Sequence, residues 1–224
     1  ATVEEFSMKL SDPKATARSS FRQVPFHIQK EVKEMIDDLL EKEFITTSRS
    51  PYAAPLVIVD KKTGGVRICC DYKKLNQITV SDGYPIPRQD ELFAALGGQK
   101  IFAALDLKSG YYNVKIQPES QHYMAFITPW GLYEWSRMPF GLKTAPSHFQ
   151  RCVNSVLGGL IGPKCLVYLD DILVFGEDEG TFVKNLQEVL HRLAEVNLLL
   201  NYDKCQIGMR EVKYLGFIVN SHGT

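Results

Sequence analysis

Within LVYLDDILVF, residues 166–175, two adjacent carboxylates interrupt a run that is otherwise apolar. A hairpin turn accounts for the position, because Asp tolerates the backbone angles of a two-residue loop and both flanks read as strands. It does not account for the pair. Asn-Gly would turn the chain as well, and neighbouring carboxylates repel each other unless a cation neutralises them. Asp106, which closes the apolar strand IFAALD, is the candidate for a third carboxylate. Alone, such an Asp reads as a cap or turn acid. If strand 101–106 lies beside the 166–175 hairpin, Asp106, Asp170 and Asp171 converge on one sheet edge. That donor set suits a hard cation with positions left for water and phosphate oxygens. Two divalent ions about 4 Å apart are the standard device for in-line displacement at phosphorus, and nucleotidyl transfer is that reaction.

The elements that must position these acids follow from local pattern. Residues 1–25 are polar with Pro13 and Pro25 and no sustained period, an extended arm on the body or a partly ordered leader. HIQKEVKEMIDDLLEKEFI carries apolar residues at helical spacing from Ile28 to Phe44. LVIV and VRICC form a hairpin across DKKTGG, with Gly at its tip and Lys beside the turn. RQDELFAALGG is a short helix closed by Gly97 or Gly98 and leads into KIFAALD. MAFIT and LYEWSRM flank PWG as another hairpin, and KTAPSHFQRCVNSVLGG is a helix with Pro146 in its first turn. After the Asp-Asp hairpin come a helix near TFVKNLQEVLHRLAEV and strands around QIG and VKYLGFIV. Strands and helices do not alternate as βαβ units, so the fold class is α+β, antiparallel hairpins with helices packed on one face.

Composition sets the outer limits. With 224 residues, 45% of them hydrophobic, the chain can bury one large core or two small ones. No apolar run is long enough to cross a bilayer and the opening ATVEEFSMKLSDPK lacks signal-peptide order, so no membrane role is expected, and a cytoplasmic or nuclear compartment is. The chain begins at Ala1 rather than Met, as a processed product or a piece of a longer polypeptide would. Cys69, Cys70, Cys152, Cys165 and Cys205 lack zinc-site spacing and read as reduced thiols. The 26 basic and 26 acidic residues cancel, so global charge does not argue for nucleic acid. Locally, residues 49–88 are basic (Arg49, Lys61, Lys62, Arg67, Lys73, Lys74 and Arg88 against Asp60, Asp71 and Asp82), while the stretch after Asp170 is mostly acidic. Such a distribution suits a polyanion held against metal ions, or is simply a solvated face.

SPYAAPLVIVDKK, VRICCDYKKLN, YPIPRQDEL, LDLKSGYYNVKI, AFITPWGLYEWSRMPFGLKTAPSHFQ, VYLDDILVFG and KYLGFIV, in that order, resemble the reverse transcriptases of gypsy-class long-terminal-repeat retrotransposons and, more distantly, of retroviruses. The likeness covers residues 25–220. It implies a right-hand polymerase palm with fingers: residues 26–105 mainly fingers with the start of the palm, and 106–224 mainly palm, with a return into the fingers near 118–145 and a primer-grip-like hairpin at the end. The family continues beyond KYLGFIV into thumb, connection and ribonuclease H, with integrase in the same polyprotein. A piece without a thumb is expected to synthesise weakly, with high salt sensitivity and low processivity.

By the same resemblance, Asp106 and Asp170 bridge two Mg²⁺ (Mn²⁺ being the alternative), with Asp171 and the Leu107 carbonyl as further ligands. Tyr111 is the aromatic that fills the space of a ribose 2′-hydroxyl, and Tyr112 is core. Lys61, or Lys62 in its place, and Arg67 hold the incoming deoxynucleoside triphosphate, and the backbone NH groups near Ser109 and Gly110 cradle phosphate. Phe140 lies beside the nucleotide where retroviral relatives often carry Gln, and Gly141 permits close backbone approach. Tyr168 and Leu169 pack the primer end, and Tyr214, Leu215 and Gly216 resemble the hairpin that grips the primer strand. The partners implied are an RNA or DNA template-primer and the remaining polyprotein domains, within a virus-like particle. Two rivals stay open, a catalytically inactive binding scaffold derived from a retroelement and an RNA-synthesising polymerase on the same palm.

Overall fold

The apolar period after Pro25 closes into a helix, α1 (Gln29–Glu41), in the computed structural model, which describes residues 1–61, 64–94 and 96–222. Then come β1 (Ile45–Thr47), β2 (Ala54–Asp60), β3 (Val66–Cys70), α2 (Lys73–Ile78), α3 (Gln89–Ala94), β4 (Ile101–Asp106), α4 (Pro118–Gln121), β5 (Phe126–Thr128) and β6 (Gly131–Trp135). The chain continues through α5 (Ala145–Val156), β7 (Cys165–Tyr168), β8 (Asp171–Gly176), α6 (Glu179–Glu195), β9 (Gln206–Met209), β10 (Glu211–Tyr214) and β11 (Phe217–Asn220). These elements fall into two compact units: Glu4–Asp82 with Tyr111–Ala145, and Ala1–Val3 with Gly83–Gly110 and Pro146–Thr224. Among the described residues no helix is long and apolar enough to cross a membrane.

The first unit is built on a five-stranded sheet in the order β1-β6-β5-β2-β3. Its β2–β3 hairpin pairs Leu56 with Cys70 through Asp60 with Val66, as the apolar runs indicate. Among the strand pairs of the described residues the antiparallel expectation fails once, at the parallel pairing of Ala54 and Pro55 with Phe126 and Ile127. A parallel pair needs a long crossover, which residues 61–125 supply. Helix α1 buries Val32 and Ile36 completely and is shorter than its apolar period. Glu43 takes a left-handed conformation (φ 56°), and Ile45 leaves the helical path to pair with Trp135. The arm is extended and tied down rather than a loose leader. It makes isolated bridges from Phe6 to Ile116, Leu10 to Thr79 and Arg18 to Ala53, and buries Phe6, Met8, Ala17 and Val24.

The second unit carries the four-stranded sheet β7-β8-β4-β9 and the separate β10–β11 hairpin. β4 and β8 occupy the two central positions and are buried almost throughout, which is why IFAALD and ILVF read as continuous apolar runs rather than alternating ones. On one face Phe102, Leu173 and Phe175 join Leu92 and Leu96 of the α3 region and Val212, Tyr214 and Val219 of the hairpin in one cluster. Helix α6 packs against β8, capped at its start by Asp178, whose carboxylate accepts from Thr181 N–H at 2.8 Å.

Candidate active site

The three acids sit at one end of the central strand pair. β4 and β8 run antiparallel in a register that sets Asp106 directly opposite Asp171, and β7–β8 pairs Tyr168 with Asp171, leaving Leu169 and Asp170 as a two-residue loop. Side chains alternate along a strand, so Asp106 shares the face of Ala104 and Phe102, and Asp171 shares that of Leu173 and Phe175. Both runs belong to the same packed face. The two carboxylates are therefore cross-strand neighbours where the apolar cluster gives way to solvent. Asp106 retains 26% side-chain exposure, so it is neither sealed in nor turned from the tandem acids. Together with Lys204, Gln206, Lys213 and Tyr214, Asp106 and Asp171 line a cavity of about 160 Å³.

The turn itself rules out the simplest reason for an Asp-Asp pair. Its left-handed residue is Leu169 (φ 56°), not either Asp, so the carboxylates do not serve the backbone. A positive φ at the first loop residue alone is the II′ pattern, in which Gly is preferred. Leu held there costs about 1–2 kcal/mol. Ser109 (φ 61°) and Leu215 (φ 51°) are likewise left-handed, so three of the five positive-φ residues other than Gly among those described flank this region. Strain of this kind clusters at functional sites.

Electrostatics follow from the crowding. Burial pushes the Asp171 carboxyl above its ordinary value, and the charges of Asp170 and then Asp106 push it further in the same direction, while Lys204 acts against them. Lys204 Nζ lies 3.7 Å from Asp106 Oδ2. The Asp106 N–H donates to Cys205 Sγ at 3.5 Å, and Asn201 N–H donates to the Asp106 carbonyl at 2.8 Å. Among the described residues no three His, Cys, Asp or Glu side chains are gathered as a ready-made metal site. The donor chemistry nonetheless fits a hard divalent ion, with oxygen ligands only and mutual repulsion that a cation would relieve.

The other residues singled out by sequence fall into groups. Leu107 is buried and its N–H donates to the Asp170 carbonyl at 3.3 Å. A methyl placed on Gly110 would stand 3.9 Å from Asp170 Oδ2, so Ser109 and Gly110 belong to the surroundings of the acids. Tyr168 is half-buried against the apolar cluster. Tyr214 is buried, with its hydroxyl donating to the Asp171 carbonyl at 3.4 Å and its ring edge-on to Phe93. Burial, and next the Asp171 charge, hold that phenol well above its ordinary value. Leu215 and Gly216 (φ 87°) form the tip of the β10–β11 hairpin.

In the first unit, Tyr111 and Phe140 are brought together, ring centroids 4.9 Å apart, and Phe140 is 49% exposed. Tyr112 is half-buried and stacks on Trp135. Gly141 (φ 93°) is a true close approach, since a Cβ there would meet the Cys70 carbonyl at 3.3 Å. Arg67 and Lys61 are exposed on and beside the β2–β3 hairpin, and Lys62 lies outside the described residues. Two residues beside the acids escaped the sequence reading. Lys204 lies in LNYDKC, a stretch without periodicity. Gln150, buried within α5, donated only a faint signal, a carboxamide one turn before the buried Val153.

With this geometry in hand, comparison with known proteins identifies the family. A profile described as reverse transcriptase (RNA-dependent DNA polymerase) matches residues 59–219. The chain is 41% identical over 198 residues to the retrovirus-related Pol polyprotein from transposon 297 of Drosophila melanogaster, covering 86% of this chain and 19% of that protein. It is 38% identical over 203 residues to the corresponding polyprotein from transposon gypsy of the same organism, covering 88% and 19%. A foamy viral protease-reverse transcriptase, solved in complex with an RNA/DNA hybrid, superposes with a TM-score of 0.86 at 24% identity, covering 95% of this chain and 28% of that one; this likeness establishes the fold. The chain belongs to the reverse transcriptase family. Its relatives are gypsy-type retrotransposon Pol polyproteins, and it spans about a fifth of the length of those cited. The α+β fold is that of a polymerase palm and fingers, as the motif order led one to expect. The family as a whole uses divalent metal ions.

Proposed function

We propose that this chain is the polymerase part of a retroelement reverse transcriptase, joining deoxynucleoside triphosphates to a primer 3′-hydroxyl on RNA and DNA templates. One observation carries the reading: Asp106 and Asp171 are cross-strand partners, with Asp170 in the adjoining turn. In this reading the second unit is the palm and the first the fingers. Asp106 and Asp170 would hold two Mg²⁺, with Asp171 and the Leu107 carbonyl completing the donor set, and Mn²⁺ able to use the same oxygens. Bound ions would supply charge that favours the ionised primer hydroxyl and neutralises the departing pyrophosphate.

The side chains contribute positioning. Arg67 grips triphosphate oxygens with its planar fork and Lys61 as a mobile point charge. The Tyr111 ring, backed by Phe140, excludes a 2′-hydroxyl. Phe140 offers the nucleotide apolar contact, and Gly141 keeps its backbone close to β3. Leu169, Leu215 and Gly216 present turn edges to the primer, with Tyr168 and Tyr214 supporting them from within. The substrates are then a template-primer and dNTPs, and the partners are the rest of a polyprotein, within a virus-like particle in cytoplasm or nucleus.

Template-primed extension with labelled deoxynucleotides, on RNA and on DNA templates, tests the reading. Wild type should extend both, and Asp170→Asn should lose at least about 100-fold in rate. Equal signals from the two proteins, or none from either, would mean a binding scaffold. Ribonucleotides used as readily as deoxynucleotides would mean an RNA-synthesising enzyme.

A further inference from the structure

We propose that Gln150 is a positioning residue for the aspartate turn, a role that rests on the polymerase reading above. Gln150 is wholly buried within α5 at 0% exposure. A buried carboxamide must satisfy both its donor and its acceptor ends. Its Oε1 accepts from the Leu169 N–H at 2.7 Å, while its Nε2 donates to Asn154 Oδ1 at 2.9 Å and to the Val167 carbonyl at 3.4 Å. Asn154 Nδ2 in turn donates to the Tyr84 hydroxyl at 2.8 Å, and the Arg151 guanidinium stands over the Tyr84 ring at 5.3 Å. A continuous relay therefore runs from Tyr84 through Asn154 and Gln150 to the amide that precedes Asp170.

The chemistry leaves the relay one orientation. Only an oxygen can meet the Leu169 N–H, and only an NH₂ can meet a carbonyl on the other side. The place it grips is equally specific. β7–β8 pairing ends at Tyr168 and Asp171, so the Leu169 N–H lies beyond the ladder and takes its partner from Gln150. Leu169 is also the residue held left-handed without being Gly. Gln150 thus bonds to Val167 and Leu169 on either side of Tyr168 and pins the strained corner. That corner fixes where Asp170 stands relative to Asp106 and Asp171. Outer partners that orient metal-binding side chains are worth about 10–100-fold in affinity or activity.

The test is Gln150→Met, which keeps length and apolar volume but removes the donor and acceptor, with Asn154→Ala as the milder cut in the same relay. Amide hydrogen exchange is read together with Mn²⁺ titration by electron paramagnetic resonance. Gln150→Met should speed exchange over residues 168–171 by about 10-fold or more and weaken Mn²⁺ binding about 10-fold. Protection of residues 101–106 and 172–176 should stay at the wild-type level, and Asn154→Ala should act in the same direction but less. Unchanged exchange at 168–171, or a uniform rise across the whole unit, overturns the proposal. If Gln150→Met does not fold, Asn154→Ala decides by the same two outcomes. A wild type that neither binds Mn²⁺ nor extends primers contradicts the polymerase reading, and the exchange data still judge the clamp separately.

Discussion

Asp171→Asn should make the metal-free chain more stable while weakening its response to Mg²⁺. The wild-type carboxylate is half-buried at the start of β8, opposite Asp106 and next to Asp170, and all three influences raise its pKa. Like charges directly opposed across strands cost about 0.2–1 kcal/mol, and burial adds to that. Asn keeps the shape and drops the charge, so a gain of about 1 kcal/mol is expected at pH 7 in EDTA, or about 2–4 °C in Tm for a chain of this size. The sign with pH is fixed by linkage. Because the folded carboxyl binds its proton more tightly than the unfolded one, the contribution of Asp171 to wild-type stability falls as pH rises from the ordinary value of 3.8 through the raised one. The advantage of Asn is then full above that window and absent well below it. Adding Mg²⁺ at about ten times its dissociation constant should stabilise wild type by about 1.4 kcal/mol, reversing the order of the two proteins. Thermal unfolding by circular dichroism, with and without Mg²⁺, reads both effects. An Asn variant less stable than wild type in EDTA, or one that responds equally to Mg²⁺, would refute the reasoning.

Three further outcomes are expected. A Cβ on Gly176 would lie 2.5 Å from the Phe182 nitrogen and 2.6 Å from its Cα, backbone of α6 that cannot swing aside. Gly176→Ala should therefore cost about 3 kcal/mol, seen as a fall of about 6–12 °C in Tm; an unchanged Tm would show that α6 docks more loosely than described. Hydrogen bonds from Thr181 hold the Asp178 carboxyl below its ordinary value of 3.8, so its contribution is present above that pH and lost as pH falls through the lower folded value. Asp178→Ala should thus be less stable than wild type at pH 7, with the gap closing in acid denaturation series. Tyr111→Ala should raise ribonucleotide incorporation relative to deoxynucleotide by at least about 10-fold in single-nucleotide extension, and no change would remove Tyr111 from the sugar gate.

Much of the site was legible because its carriers are strongly patterned. IFAALD and ILVF are apolar enough to demand central strands, and acids at their ends had few places to go except together. The α1 period, the β2–β3 hairpin and Pro146 in the first turn of α5 were likewise local signals. What stayed hidden is non-local. Nothing in Ala54–Pro55 or Phe126–Ile127 announces their parallel pairing, and α1 ends early because Ile45 gains a strand partner 90 residues away, a competition that periodicity does not record. The division into units, with crossings after Val3, Asp82, Gly110 and Ala145, depends on packing between distant segments. Gln150 and Lys204 were missed for a related reason. A polar side chain becomes informative only when its partner is known, and theirs are 19 and 98 residues distant.

In the proposed polymerase, Asp106, Asp170 and Asp171 would jointly hold divalent ions for nucleotidyl transfer. Crystals of the chain with template-primer, a non-hydrolysable deoxynucleotide and Mn²⁺ would address it through anomalous scattering. Two peaks about 4 Å apart, each within bonding distance of carboxylate oxygens from this trio, are predicted. Peaks elsewhere, or an empty trio beside an ordered nucleotide, would contradict it.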